Sequence, residues 1–284
     1  MAQTTGFLQH LQYGVGASTT ATVGKVTGGD WGPHDSQMDY EYSIGGIPSP
    51  KLGAFGPEGS CTFWPTAAGI LASAKRSTYS SAAPPALTFE GGDSSYAFRH
   101  STAYIDTLGL ACVAPDGKLQ ATLGWKAITP ASIAVPSYFA DDTGSEFHWF
   151  AAVCTLGGAS CTMQSFKVDL NNNLRGGTSL DGGSSGSQRL WEELQCGNET
   201  IAGNFVVGVP PSTMAVAEAW DDMPDATVAA SLAFTNALSE TLTITLANLS
   251  IKTWAFNYVG PDAFRYFTID YIGKPNASDT LTIA

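Results

Sequence analysis

One hairpin-forming stretch, residues 98–128, constrains the fold more than any other part of this sequence. In its second half apolar residues alternate with polar ones, which is the pattern of a β-strand with one buried face. The apolar positions are Leu119, Ala121, Leu123 and Trp125. Before them, Pro115 presets φ and Gly117 accepts a positive φ, so the chain can reverse direction between the two halves. We therefore predict two paired antiparallel strands, with Leu123 and Trp125 in the core.

Most of the other periodic segments also favour strands. Residues 147–155 and 162–170 are predicted to pair as a second hairpin, with Phe147, Trp149 and Val153 on one face of its first strand. Residues 226–235 and 241–249 flank a short turn and are predicted to form a third hairpin, and residues 264–272 a final strand. The fold class that follows is mainly β.

Two segments carry a helical pattern instead. In residues 66–76 apolar side chains recur at i, i+3, i+4 and i+7, and two basic residues end the segment, where the helix dipole favours cations. The same spacing recurs in residues 213–222, which follow the capping residue Ser212 and stop at Pro224. Each is predicted to be a short amphipathic helix.

We expect a single domain over residues 1–284, divided by composition into four parts. Residues 1–27 are rich in Gly, Ser and Thr and indicate an arm or edge strand outside the core; residues 66–272 form the β core, and residues 273–284 a polar tail. Residues 28–65 form a long loop in which Gly and Pro recur too often for a helix. Its aromatic residues argue against disorder, because disordered segments lack such apolar surface.

Charge and hydropathy exclude several functions. The net charge is −12 and no run of Lys or Arg occurs, so the chain offers no general attraction to a phosphate backbone. The sequence contains no apolar stretch of about 18 or more residues, so a membrane-spanning helix is not predicted. The N-terminal residues lack the charged and apolar regions of a secretory signal, so synthesis in a cytoplasm is expected. In that reducing compartment free thiols are favoured, although Cys154 and Cys161 could face each other across a hairpin.

A search for chemistry finds no catalytic, cofactor or metal site. Residues 182–186 match the G-x-S-x-G pattern, but Gly and Ser on both sides provide neither the strand nor the helix of a nucleophile elbow. The four histidines are dispersed, without the spacing of zinc ligands. The acidic pairs Asp141-Asp142 and Asp221-Asp222 are typical of solvated loops and helix ends. A protein that is not an enzyme and needs no cofactor is expected.

The order of elements resembles that of the major tail tube proteins of long-tailed (siphovirus-type) bacteriophages. The resemblance covers roughly residues 60–272, and it depends on this succession rather than on one motif. Its parts are residues 96–128, the segment QSFKVDLNNNL at 164–174, residues 203–209, the predicted helix before Asp221, and the hairpin LAFTNALSETLTITLANL at 232–249. The long loop at 28–65 matches less well by residue but lies where that family carries one.

This resemblance implies a β-sandwich or partly open barrel with one or two short helices. It further implies hexameric rings that stack into a hollow tube, within which the subunits' strands join around a channel. Tape measure, tail tip and terminator proteins would be partners, and genomic DNA would pass through without specific binding. The protein would then be part of the virion tail, with no membrane association.

Two sets of residues become candidates for that role. Asp106 and Asp169 lie on polar strand faces and are candidates for an acidic channel wall, although Lys126 and Lys167 compete for the same place. Both acids could instead pair with a neighbouring subunit's Lys or Arg. The aromatic residues of the long loop are candidate inter-subunit contacts, namely Trp31, Tyr40, Tyr42 and Phe55.

Two other classes of function remain open at this stage. The 7 Trp and 10 Tyr residues fit a β-sandwich carbohydrate-binding or adhesion module, because aromatic side chains stack on sugars, although core packing is the favoured explanation for them. A hydrolase that uses scattered carboxylates is the other alternative.

Overall fold

A computed structural model describes most of the chain. The described residues are 10–15, 19, 21–31, 38–41, 49–52, 56–76, 83–93, 96–113, 117–135, 139, 141–177, 193–208, 227–257, 266–274 and 281–284. The predicted helix at 213–222 and the Pro115-Asp116 turn lie outside these ranges.

The described chain consists of nineteen strands, one short helix and one 3-10 turn. In the first half the elements are β1 (His10–Val15), β2 (Ala21–Thr22), β3 (Lys25–Trp31), β4 (Met38–Glu41), β5 (Ser49–Leu52), β6 (Glu58–Trp64), α1 (Gly69–Ala72), β7 (Leu87–Gly92), β8 (Ala97–Val113) and β9 (Gln120–Ile133). In the second half they are the 3-10 turn (Trp149–Ala151), β10 (Ala152–Leu156), β11 (Ala159–Ser160), β12 (Met163–Asn171), β13 (Leu174–Gly177), β14 (Glu193–Cys196), β15 (Thr200–Gly208), β16 (Val228–Thr235), β17 (Thr241–Asn257), β18 (Tyr266–Gly273) and β19 (Leu281–Ile283). The mainly β prediction is confirmed.

The hairpin β8–β9 joins the two parts of one large antiparallel sheet. Along one edge, β8 pairs with β9 over nearly its whole length, from Ala97 to Ala111. Along its other edge, the N-terminal half of β8 pairs with β7 and the C-terminal half with β12. From there the sheet continues in one direction through β1 and β2, and in the other through β15, β18, β17, β16, β10 and β11. The described strands do not close into a barrel.

A bulge marks the point where β12 replaces β7 beside β8. The register between β8 and β9 shifts between Ile105 and Thr107, so Asp106 is the extra residue. Asn172 lies at this bulge and is fully buried. Its Nδ2 donates hydrogen bonds to the carbonyls of Ala74 and Ile105 at 2.9 and 2.8 Å. The Arg76 side chain, also buried, donates from Nε to Asn172 Oδ1 at 3.0 Å and from its guanidinium to the Asn172 carbonyl. This cluster holds the segment after α1 against the bulge.

Trp125 occupies the centre of the core on β9. It is 1% exposed, its ring stacks on Phe89 at 4.5 Å between centroids, and its Nε1 donates to His100 Nδ1 at 3.1 Å. Gly59 lies opposite Trp125 in the register of β6 and β9, and a Cβ there would lie 2.2 Å from the indole ring. The indole therefore covers a position at which only glycine fits. Leu123 is fully buried two residues earlier on the same face.

Both ends of the described chain take part in the sheet, contrary to the sequence interpretation. Strand β1 pairs with β7, and its Leu11 is 2% exposed in the core, so residues 1–27 do not lie wholly outside it. In the predicted polar tail, β19 pairs with β17 and buries Leu281 and Ile283. Both strands are short, and their few apolar residues stand among Gly, Ser and Thr, so the alternation is too brief to recognise.

Two further predictions are corrected. The helix expected over residues 66–76 is limited to Gly69–Ala72, because the chain beyond it turns to place Arg76 against Asn172. Residues 147–155 and 162–170 do not form a hairpin with each other: β10 pairs with β11 and β16, whereas β12 pairs with β8 and β15. The 3-10 turn at Trp149–Ala151 also shifts the alternation, so that Val153 is 64% exposed and Cys154 is buried.

The long-loop segment 28–65 begins and ends in paired strands. Strands β3 and β6 pair from Lys25 opposite Trp64 to Trp31 opposite Gly59. Within the segment, β4 and β5 pair as a separate two-stranded hairpin. The segment is therefore a ribbon with a hairpin inside it.

Candidate functional site

The most distinctive surfaces are two unlike edges of the sheet, which has further short end strands in β2 and β11. Following the hydrogen-bonded neighbours from β3 leads through β6, β9, β8, β12, β15 and β18 to the C-terminal half of β17. At one end, β3 has β6 as its sole strand partner among the described residues. Unpaired edges expose N–H and C=O groups that can accept another strand.

The other edge is residues 250–257 of β17. Leu249 pairs with Val228 of β16 on one side and with Gly273 of β18 on the other, and β16 begins at that point. Beyond Leu249, β17 continues to Asn257 with β18 as its partner, and within the described ranges no strand lies on the opposite side. Among the described strands, the sheet is thus open along the second half of β17.

Apolar surface reaches this open edge. Trp254 pairs with Ile269, which in turn pairs with Phe205, so the three side chains lie on the core face of the sheet. Ile269 and Phe205 are fully buried, whereas Trp254 remains 37% exposed. The core is therefore incompletely covered where the strand pairing stops.

The opposite face of the same sheet is polar. Lys167 pairs with Asn204, and Asn204 pairs with Asp270, so these side chains form a row across three strands. Asp270 accepts a hydrogen bond from Thr253 Oγ1 at 2.5 Å. Next to this row Asp169 pairs with Gly109, which lies opposite Thr122. The face combines small polar side chains with a few charges of both signs.

The candidate acids Asp106 and Asp169 each have a lysine partner in the same chain. Asp106 lies 3.1 Å from Lys126 Nζ, accepts the Leu174 N–H at 2.7 Å, and has a side chain that is 15% exposed. Asp169 lies 2.6 Å from Lys167 Nζ, and its side chain is 47% exposed. Asp106 is thus built into the bulge, whereas Asp169 lies open on the polar face.

The candidate loop contacts are separated. Trp31 ends β3 at the sheet edge, Tyr40 lies in β4, and Tyr42 and Phe55 lie outside the described residues. Their role as inter-subunit contacts stays a prediction.

Glu146 is the centre of a charged cluster that joins β3 to the loop before β10. Its Oε1 accepts from Lys25 Nζ at 3.0 Å and from Lys118 Nζ at 3.2 Å, and Lys118 lies 3.9 Å above the Trp64 ring. The hydrogen bond from Lys25 is the main reason that the pKa of Glu146 falls to about 2, with Lys118 adding to the effect. The cluster therefore anchors β3, the strand at this open edge, to the loop before β10.

This pKa shift predicts that Glu146→Gln destabilises the protein only above acidic pH. A carboxylate whose folded pKa is depressed contributes stability above its unfolded value of about 4.5, and that stability disappears as pH falls through about 2. The melting temperature of the variant should lie below wild type at neutral pH, and the gap should narrow as pH falls across this window. Glu193→Gln, at an exposed position, is the control and should follow wild type throughout. A gap that is constant with pH would contradict the assignment.

Chemistry is otherwise sparse in the described part of the chain. No three His, Cys, Asp or Glu side chains come together there as metal ligands. A cleft of about 240 Å³ lies beside His10, Lys25, Asp141 and Asp142, where Asp142 already accepts hydrogen bonds from the hydroxyls of Thr22 and Thr66.

None of the described helices has the length and apolarity needed to cross a membrane. Residues 182–186 and Asp221-Asp222 lie outside the described ranges.

Comparison with known proteins gives little. No protein-family model matches the chain, and no curated protein matches it. Among solved structures, the cryo-EM structure of the anti-feeding prophage cap, the tube-terminating cap, aligns with a TM-score of 0.39 and 14% identity over 53% of this chain and 99% of that chain. A TM-score of this size does not establish a shared fold.

Proposed function

We propose that this protein is a structural component of a bacteriophage tail that polymerises, as stacked hexameric rings, into the tail tube. The observation that carries the proposal is that, among the described strands, two unlike edges of the sheet lack a partner, β3 and the second half of β17, and the second of them carries the partly exposed Trp254. The hexameric ring and the stacking of rings are what the resemblance of the element order to that of tail tube proteins implies.

The two edges account for a ring because they are not alike. The two edges differ in sequence: β3 reads KVTGGDW, whereas the unpaired part of β17 reads SIKTWAFN and carries Trp254 on the core face. An interface between different surfaces is heterologous, and repeating it produces a closed ring or a helix. Strand pairing between subunits would satisfy both edges and cover the apolar rim.

The polar face of the sheet would then line the channel. Small hydroxyl and amide side chains with few charges would bind DNA weakly, since phosphate binding depends on clustered Lys and Arg. Lys167 is neutralised by Asp169, with the net charge of −12 opposing attraction elsewhere. Tape measure, tip and terminator proteins would contact the tube, and Trp31, Tyr40, Tyr42 and Phe55 would contact neighbouring subunits.

The proposal predicts that Trp254→Glu abolishes assembly and leaves the subunit folded. A carboxylate at the apolar rim would have to be desolvated on strand pairing, whereas in the free subunit the position is already 37% exposed. Sedimentation velocity and negative-stain microscopy measure assembly, and circular dichroism measures the fold of the subunit.

Leu238→Glu provides the matched control, because Leu238 is 63% exposed in the turn between β16 and β17, away from the open edge. This variant should assemble as wild type does. Tubes formed by Trp254→Glu in wild-type yield would exclude the β17 edge from the interface.

A channel-facing Asp169 predicts slower DNA ejection after Asp169→Lys. The change places two lysines side by side and attracts phosphates, and added salt should restore the rate by screening. Glu193→Lys makes the same charge change on the hairpin β13–β14 and should not slow ejection. Ejection that is normal at low salt would place Asp169 away from DNA, and failed assembly would place it at a subunit contact.

A further inference from the structure

Cys154 and Cys161 lie directly opposite each other across a tight hairpin. Strands β10 and β11 pair Leu156 with Ala159 and Thr155 with Ser160, so the next pair outward is the two cysteines. The N–H of Cys161 donates to the Cys154 carbonyl at 3.0 Å, which continues the same register. The turn fixes this register, because Gly157 and Gly158 have φ of 60° and 80°, the signs that a two-residue type I′ turn requires.

Both thiols project toward the core. Residues that pair directly across antiparallel strands share a face, and Cys154 is 6% exposed within the hydrophobic core. Cys161 packs against that core but retains solvent exposure. A hydrogen-bonded antiparallel pair has Cα atoms about 5.5 Å apart, which lies inside the range of about 4.4–6.8 Å that a disulfide spans. Its Cβ atoms lie near the wide end of about 4.5–5.5 Å, compared with about 3.5–4.5 Å in a disulfide, so the two short strands must move closer together as the bond forms.

We propose that Cys154 and Cys161 form a cross-strand disulfide when the folded protein meets a low-molecular-weight disulfide such as glutathione disulfide. The Cys161 thiol loses its proton to solvent, and its thiolate attacks one sulfur of glutathione disulfide. This forms a mixed disulfide and expels one glutathione thiolate, which takes up a proton. The Cys154 thiol then loses its proton, its thiolate attacks Sγ of Cys161, and the second glutathione thiolate is expelled and takes up a proton. Two protein thiols are oxidised and one glutathione disulfide is reduced to two thiols.

Exposure determines the order of these steps. Cys161 reaches solvent and can meet glutathione, whereas Cys154 is covered and acts as the resolving thiol. Burial raises the pKa of Cys161 to about 11 and that of Cys154 to about 12, so little thiolate exists near neutral pH. The reaction is therefore slow at neutral pH and accelerates with alkalinity, by about tenfold per pH unit for the first step.

A third thiol, that of Cys112, is the alternative partner for Cys154. Cys112 on β8 lies close enough to contribute to the raised pKa of Cys154, but it is 2% exposed and its Sγ donates to the Gly117 carbonyl at 3.4 Å. No shared hairpin register places Cys112 opposite either partner. Cys161 is therefore the partner of Cys154.

The bond would close the outermost hairpin of the sheet. Strand β11 has only two residues, and β10 is its only strand partner within the described chain. A covalent link between the strands prevents this edge from fraying, although the short loop limits the gain in global stability. The inference concerns a single chain and is independent of whether tubes form.

Digestion with trypsin distinguishes a Cys154–Cys161 disulfide from a disulfide that involves Cys112. Cleavage after Lys126 and Lys167 leaves Cys154 and Cys161 in one peptide, 127–167, whereas Cys112 lies in peptide 100–118. Folded protein is incubated with glutathione disulfide at about pH 9, where thiolate is more abundant. The expected product is peptide 127–167 lighter by two hydrogens, with Cys112 still alkylated by iodoacetamide after unfolding.

Variants assign the steps. Cys154→Ser should stop at a glutathione adduct on Cys161, and Cys161→Ser, at a partly exposed position that tolerates the change, should give no bond within peptide 127–167. Cys196→Ser, which removes another partly exposed thiol, should react as wild type does. A link between the two tryptic peptides would overturn the proposal, and so would free Cys154 and Cys161 thiols after prolonged exposure of the folded wild type.

Discussion

Trp125→Ala is expected to lower the free energy of unfolding by about 3–5 kcal/mol, the usual range for emptying a large buried aromatic site. The indole is 1% exposed, and its removal leaves a cavity between Phe89 and Gly59. It also removes the Nε1 donor from His100, which is itself fully buried. Urea unfolding should show a lower midpoint with an unchanged slope.

Trp254→Ala makes the same substitution at the open edge, where the ring is 37% exposed. The cost there should be smaller, about 1–2 kcal/mol, because less apolar area leaves water on folding. A loss below about 1 kcal/mol for Trp125→Ala would show that the core is organised around a different residue.

Asn172→Ala is expected to cost about 3 kcal/mol, since each buried polar group that loses its partner costs about 1–3 kcal/mol. The side chain satisfies Arg76 Nε and the carbonyls of Ala74 and Ile105, all at the bulge in β8. Without it a buried guanidinium loses an acceptor and two carbonyls lose a donor. Thermal and urea unfolding both measure the effect.

Asn198→Ala is the control, because Asn198 is exposed and offers only its backbone carbonyl to Asn173. Its effect should stay within about 0.5 kcal/mol. Equal losses in the two variants would mean that the Asn172 side chain does not hold the bulge together.

Sequence alternation was sufficient for β8 and β9, ended β17 at residue 249 instead of Asn257, and failed for the shortest strands. Strands β8 and β9 were predictable because their alternation persists over many residues, which makes the buried face unambiguous. Strand β19 contributes only Leu281 and Ile283, too few for a period to emerge. Val153 was placed on the same face as Phe147, but a 3-10 turn just before β10 changes the phase of the pattern, so that Phe147 is buried and Val153 is exposed.

The candidate interface depends on information that local sequence does not contain. Whether residues 250–257 have a second neighbour depends on where β16 starts, and that is a long-range property of the sheet. Trp254 resembles any other alternating aromatic residue until the sheet order shows that the described strands leave one side of it unpaired. The contact of Asn172 with Arg76 joins positions far apart in the sequence, so no local pattern predicts it.

Imaging of the concentrated wild-type protein by negative-stain electron microscopy, together with its sedimentation velocity, tests the central claim most directly. Two unlike sheet edges that pair between subunits predict rings with a central channel, or tubes built from them. Particles that remain monomeric or dimeric at every concentration would contradict the account, and that is the result expected of an adhesion module or a hydrolase.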